Sequence, residues 1–160
     1  MSELNPAAQA EFLSQLNKER DAIRDFVALL EKEQQALLQQ ENDLLLTLAE
    51  AKTQAALKLT DLTNVRRQFL NSKIGNSAID TGEWIKKFAP SCLAAWNELK
   101  KIAEAAHQMN KNNGEVIQLK LRSNQQALTA LLGAAKSAAG LYGRDGQTSV
   151  AFSGRTLGSG

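Results

Sequence analysis

The chain has 160 residues, of which 19 are basic and 17 acidic, for a net charge of +2. Hydrophobic residues make up 43%, charged residues 22% and aromatic residues 5%. That composition fits one folded domain and excludes a disordered chain, and so even a charge balance gives no field for nucleic acid or acidic lipid. Few rings beside abundant Ala, Leu and Gln point to long helices packed along seams. The single cysteine, Cys92, excludes an intrachain disulfide and fits a reducing compartment. No run approaches the length of a membrane span, and "MSELNPAAQAEF" lacks the basic and apolar blocks of a signal peptide. The expected location is cytoplasmic, with no membrane insertion.

The first helix opens at "NPAAQAEFLSQL", where Asn5 suits the N-cap and Pro6 the first helical position, which has no need of its N–H. Leu16, Ile23, Leu30 and Leu37 then recur every seven residues, with Phe12, Leu13, Phe26, Val27 and Leu38 beside them, the mark of a seam against another helix. Leu44 continues the seven-step, so one unbroken rod to about Ser72 is conceivable. The polar run "QQEND" favours a turn instead, with a helix over 6–39 and a second over 43–72 that Asn42 or Asp43 would cap. Its seam is Leu48, Ala55, Leu62 and Phe69, with Leu45, Leu59 and Val65 alongside. A hairpin lets the two stripes bury each other, where a rod would leave both wet.

"NSKIGNSAIDTG" breaks the chain. A short helix over 81–88 is expected next, capped by Asp80 or Thr81 and carrying Trp84, Ile85 and Phe88. Pro90 restarts a long helix over 90–137. Trp96, Ala103, Asn110, Ile117, Asn124 and Leu131 step by seven along it, flanked by Leu99, Ala106, Met109, Leu121 and Leu128. Phase is kept across "NKNNG", with Gly114 a weak point; a turn there, making a fourth helix, is the alternative. From about Gly140 the composition collapses to Gly, Ser, Thr and Arg, the signature of a flexible tail over 140–160. The fold class is all-α: an elongated antiparallel bundle of three long helices, with a helical domain over 1–139.

The residues do not assemble an active site. His107 is the one histidine, and no Cys-x-x-Cys, His-Glu-x-x-His or glycine-rich phosphate loop occurs, so no enzyme, metal or cofactor is expected. Cys92, in the first turn after Pro90, reads as a small core residue. Glu31, Glu33 and Glu41 read as solvated helix faces, and Glu83 with Lys87 as an i,i+4 surface pair. Arg66–Arg67, Lys86–Lys87 and Lys100–Lys101 are short and interspersed with acids; they read as hydrated faces and not as a nucleic-acid site.

Interaction remains. Asn110, Asn113 and Asn124 stand at or near seam positions, either as register devices or as signs of a face not permanently sealed. The second reading gains weight from Val116, Ile117, Leu119, Leu121, Leu128, Leu131 and Leu132, more apolar positions than one narrow seam needs, and enough to form a groove for a foreign helix.

Several pieces of the chain, in order, resemble one family: "EKEQQALL", "LAEAKTQAALKL", "LAAWNEL", "NKNNGEVIQLKLRSNQQAL" and "LYGRDGQTS". The chain is similar to the FlgN-type export chaperones of the bacterial flagellar type III secretion apparatus. The resemblance implies a small helical cytoplasmic chaperone, without ATPase activity, that binds the hook-associated proteins of the hook–filament junction. It would block their premature assembly and deliver them to the export gate. It implies client binding around Val116, Ile117, Leu121, Asn124, Leu128 and Leu131, and docking of Tyr142 on the cytoplasmic domain of the gate. Apart from the resemblance, Tyr142 reads more simply as a helix-end contact with Leu131 or Leu132. A chaperone would be a monomer or weak homodimer. The heptads alone also permit a self-associating coiled-coil scaffold, and a regulator binding RNA or DNA would require a steep salt dependence that the net charge does not suggest.

Overall fold

The computed structural model describes residues 2–142, the side chains of 135 and 137–142 excepted. In chain order it contains α1 (Pro6–Gln39), α2 (Asn42–Ile74), α3 (Thr81–Phe88), a 3-10 turn (Pro90–Cys92) and α4 (Leu93–Tyr142). No strand occurs among the described residues. The described residues divide into two compact units after Gly114. α4 is continuous through Gly114, so the alternative turn and fourth helix do not occur. Helix also continues through Gly140 to Tyr142, past the expected start of a tail; residues 143–160 lie outside the described residues.

Local chemistry sets the helix ends. Asn5 accepts a hydrogen bond from the Ala8 amide at 2.8 Å, satisfying one otherwise orphaned donor. Asp80 does the same for Gly82 at 3.0 Å and opens α3. The turn after α1 departs from expectation. Neither Asn42 nor Asp43 caps α2: Asn42 is already helical, and Glu41 stands at the cap without a side-chain bond. The reason is how α1 stops. Gln40 turns left-handed, with φ of 57°, and the Glu41 amide reaches back to the Ala36 carbonyl at 3.0 Å. That six-to-one bond closes a Schellman ending and uses up both linking residues. A side chain in this conformation costs about 1 kcal/mol, which is why glycine is usual there.

Polar pairs fix the order of the helices in the first unit. Glu19 meets Arg66 while Glu33 meets Lys52, so α2 runs antiparallel to α1. Cys92 bonds the carbonyl of Gln9 and Asn113 that of Leu30, each 83 residues apart, so this part of α4 runs parallel to α1. Between them lies the core: Leu16, Ile23 and Leu30 of α1, Leu70 of α2, Trp84, Ile85 and Phe88 of α3, and Trp96, Leu99 and Ala106 of α4. The expected seam of α1 is buried throughout, Leu37 included. Leu38 is instead 72% exposed and Val65 is exposed too. Leu38 sits about 100° round the helix from Leu37, which takes the inward place in the last turn.

α3 closes one end. Phe12 stacks on Phe69 at 4.7 Å, Phe69 meets Trp84 edge-on at 6.5 Å, and Trp84 contacts Phe88 at 5.7 Å. Buried Gln9 ties the layers together: its amide nitrogen donates to the Leu4 carbonyl at 2.8 Å and its oxygen accepts from the Ser91 hydroxyl at 2.5 Å. The Leu4 amide in turn donates to the Phe88 carbonyl at 2.8 Å.

Glycine in place of Gln40 should relieve the left-handed turn. The expected outcome for Gln40→Gly is a gain of ~0.5–1 kcal/mol in urea unfolding with an unchanged m-value. A loss of stability would show that α1 and α2 are not joined by this turn.

Candidate partner-binding face of α4

Two kinds of position separate along the chain, one sealed and one open. The sealed kind lies in the first unit. Glu19 is 3% exposed, accepts from Arg66 Nε at 2.8 Å and from the Thr63 hydroxyl at 3.0 Å, and the Arg66 guanidinium lies 5.2 Å from the Trp96 ring centre. Glu33, also buried, accepts from Lys52 Nζ at 3.0 Å and from Asn113 Nδ2 at 3.0 Å. Asn113 also bonds the Leu30 carbonyl at 2.9 Å, and Lys52 donates to Asn110 Oδ1 at 2.9 Å. These arrangements correct two expectations: Glu33 is not on a solvated face, and Arg66 is not a hydrated cation. Burial of charges at such depth is tolerated only with partners this close. Asn113 is the register device of the two readings, linking α4 to α1 at one height.

The open kind lies in the second unit. Ile117 is partly covered, while Val116, Leu121, Asn124, Leu128 and Leu131 are exposed, from 39% at Val116 to 67% at Leu131. Leu119 and Leu132 are exposed as well. Ile117, Leu121, Asn124, Leu128 and Leu131 follow at alternating steps of four and three, which places them on one stripe of the helix; Val116 and Leu119 stand well to the side. An apolar stripe open to water on a helix is the form that accepts a second amphipathic helix. Tyr142 is the final residue of α4, its side chain outside the description, and the glycines at 143 and 146 lie outside the described residues.

The remaining candidates have ordinary surroundings. Cys92 is buried and its thiol donates to the Gln9 carbonyl at 3.3 Å; burial pushes its pKa up, against the lowering effect of Ser91 and the Leu13 backbone. His107, Glu31 and Glu41 are exposed. Glu83 and Lys87 form no ion pair among the described residues; Lys87 lies 5.3 Å from the Phe88 ring centre instead. No group of potential metal ligands gathers among the described residues, and no helix is long and apolar enough to cross a membrane.

Leucine in place of Asn113 would keep the branched shape but remove the second donor to the Leu30 carbonyl and strip Glu33 of one donor. Asn113→Leu is expected to cost ~2 kcal/mol or more, lowering the melting temperature by ~4–8 °C. Unchanged melting would mean that the residue does not set the register of α4.

The model of the FlgN protein family matches residues 1–149. No curated protein and no solved structure matches the chain. The match spans both units, from the caps of α1 to beyond the end of α4, and the chain belongs to the FlgN family of flagellar export chaperones.

Proposed function

We propose that the protein works in the cytoplasm as the export chaperone of hook-associated proteins, the subunits of the hook–filament junction. The client's helical segment lies along α4 on Ile117, Leu121, Asn124, Leu128 and Leu131, with Val116 at its edge. While it lies there it is unavailable for assembly. Tyr142, at the end of the same helix, docks on the cytoplasmic domain of the export gate and brings the loaded chaperone to it. No step of this requires catalysis.

The observation that carries the reading is the exposed stripe of α4, in a chain of a chaperone family. Each large apolar side chain buried there contributes ~1.5–3 kcal/mol, and the client adds matching side chains. The cost of association and of ordering the client opposes this gain, and only the surplus appears as affinity. The self-associating scaffold finds less support: its seam of Leu16, Ile23, Leu30 and Leu37 is filled by the protein's own helices.

Replacing Leu121 and Leu128 together by Gln should weaken binding of a purified hook-associated protein at least tenfold while shifting the melting temperature by less than ~2 °C. Leu30→Ala, in the core, should cost ~3 kcal/mol. Full affinity in the double variant would remove the stripe from the proposal. Tyr142→Ala should leave client affinity and melting unchanged and stop secretion of the client; a fall in melting temperature of several degrees would make Tyr142 part of the fold instead.

A further inference from the structure

The charges around the stripe are of one sign. From 116 to 142 the sequence holds Lys120, Arg122 and Lys136 and no aspartate or glutamate. At ~100° per residue, Lys120 borders the stripe about 60° to one side of its midline, and Lys136 about 100° to the other, with Arg122 further round. Arg122 and Lys136 are exposed and Lys120 partly so, and none of the three makes an ion pair among the described residues. Glu115, the nearest carboxylate in sequence, lies on the opposite side of the helix from the stripe.

Resting on the reading of α4 as the client-binding face, we infer that this face selects its partner by charge as well as by shape. The occupant is an amphipathic helix of ~15 residues, the length needed to cover a stripe of ~21 Å, whose apolar ridge is edged by aspartate or glutamate. Lys120 and Lys136, with Arg122 behind them, are the residues that select it. A second copy of this chain is a poor occupant, because two such faces would bring six cations together without a carboxylate between them. An anionic lipid surface is disfavoured by Asn124 in the middle of the stripe and by the absence of Trp and Phe from 116 to 142, the rings that anchor interfacial helices. A partner helix, by contrast, tolerates a polar residue at one seam position and gains register from it.

The test uses the full chain and three synthetic 18-residue peptides with one apolar stripe of leucines, edged by glutamate, glutamine or lysine. Titration calorimetry or anisotropy at 50 mM and 500 mM salt should give the glutamate peptide a five- to tenfold advantage over the glutamine peptide at low salt. The lysine peptide should bind more weakly still. The advantage should vanish at high salt and in Lys120→Gln/Arg122→Gln/Lys136→Gln, which should keep its affinity for the glutamine peptide. Equal affinity for all three peptides, lost in the Leu121→Gln/Leu128→Gln variant, would overturn the charge selection and leave the client face standing. No binding of any peptide, with the hook-associated protein bound equally by the wild type and that leucine variant, would overturn both. Binding to vesicles containing phosphatidylglycerol more tightly than to the glutamate peptide would also overturn the inference.

Discussion

Glu19 and Glu33 are buried in the seam between helices, and the order of the first unit depends on how each is answered. A carboxylate taken out of water must keep a cation and further donors within reach, or the fold that buries it loses several kcal/mol. Glu19 finds Arg66 and Thr63; Glu33 finds Lys52 and Asn113. A slip of α2 by one residue would carry Arg66 and Lys52 away from their partners together, at two levels about four turns apart. Leucines facing leucines give no such penalty, because apolar contact is indifferent to register. Attraction between the helices thus comes from Leu16, Ile23, Leu30 and the rings of Phe12, Phe69 and Trp84. Their alignment comes from the two ionic crossbeams.

The same division between filled and open positions runs along α4. Up to Asn113 its inward residues are satisfied within the chain, and Asn113 spends its amide on the Leu30 carbonyl and Glu33. From Glu115 onward the hydrophobic rhythm continues, yet beyond the partly covered Ile117 the side chains that carry it are exposed. An identical periodicity therefore describes a filled seam in one unit and an open one in the other. The proposed role uses both: a filled seam that holds the first unit together, and a helical surface that another chain completes for a time. On the proposed reading, the residues that hold the fold and those that meet the client are different residues of α4, so the two tasks are separable by mutation.

Much of this was legible in the sequence. The seven-step of Leu16, Ile23, Leu30 and Leu37 marked the inward face of α1, and Asn5 and Asp80 marked helix starts, because caps and periodicity are local signals; Pro90, expected to open the long helix, opens a 3-10 turn ahead of α4 at Leu93. Glu19, Glu33, Lys52 and Arg66 were not legible in the same way. Phe12, Glu19, Phe26 and Glu33 occupy one heptad column, and Leu45, Lys52, Leu59 and Arg66 another, so apolar and charged residues alternate along both. A reading that tracks only apolar residues assigns the charges to water; matching the two columns as opposite charges would have found them. The Gln40 turn escaped because left-handed backbone is usually announced by glycine, and Gln9 because its partners lie as far away in sequence as Ser91. The surplus of leucines between 116 and 132 was visible in the sequence, but sealed and open seams share a pattern, and only the exposure of Leu121, Leu128 and Leu131 distinguishes them.

Amide hydrogen exchange of the full chain, with and without a bound hook-associated protein, tests the central claim most directly. The account predicts that amides between 116 and 132 exchange readily in the free protein and become strongly protected in the complex, while α1 and α2 show the same protection in both. Protection that appears on α1 or α2 and leaves 116–132 unchanged would contradict it.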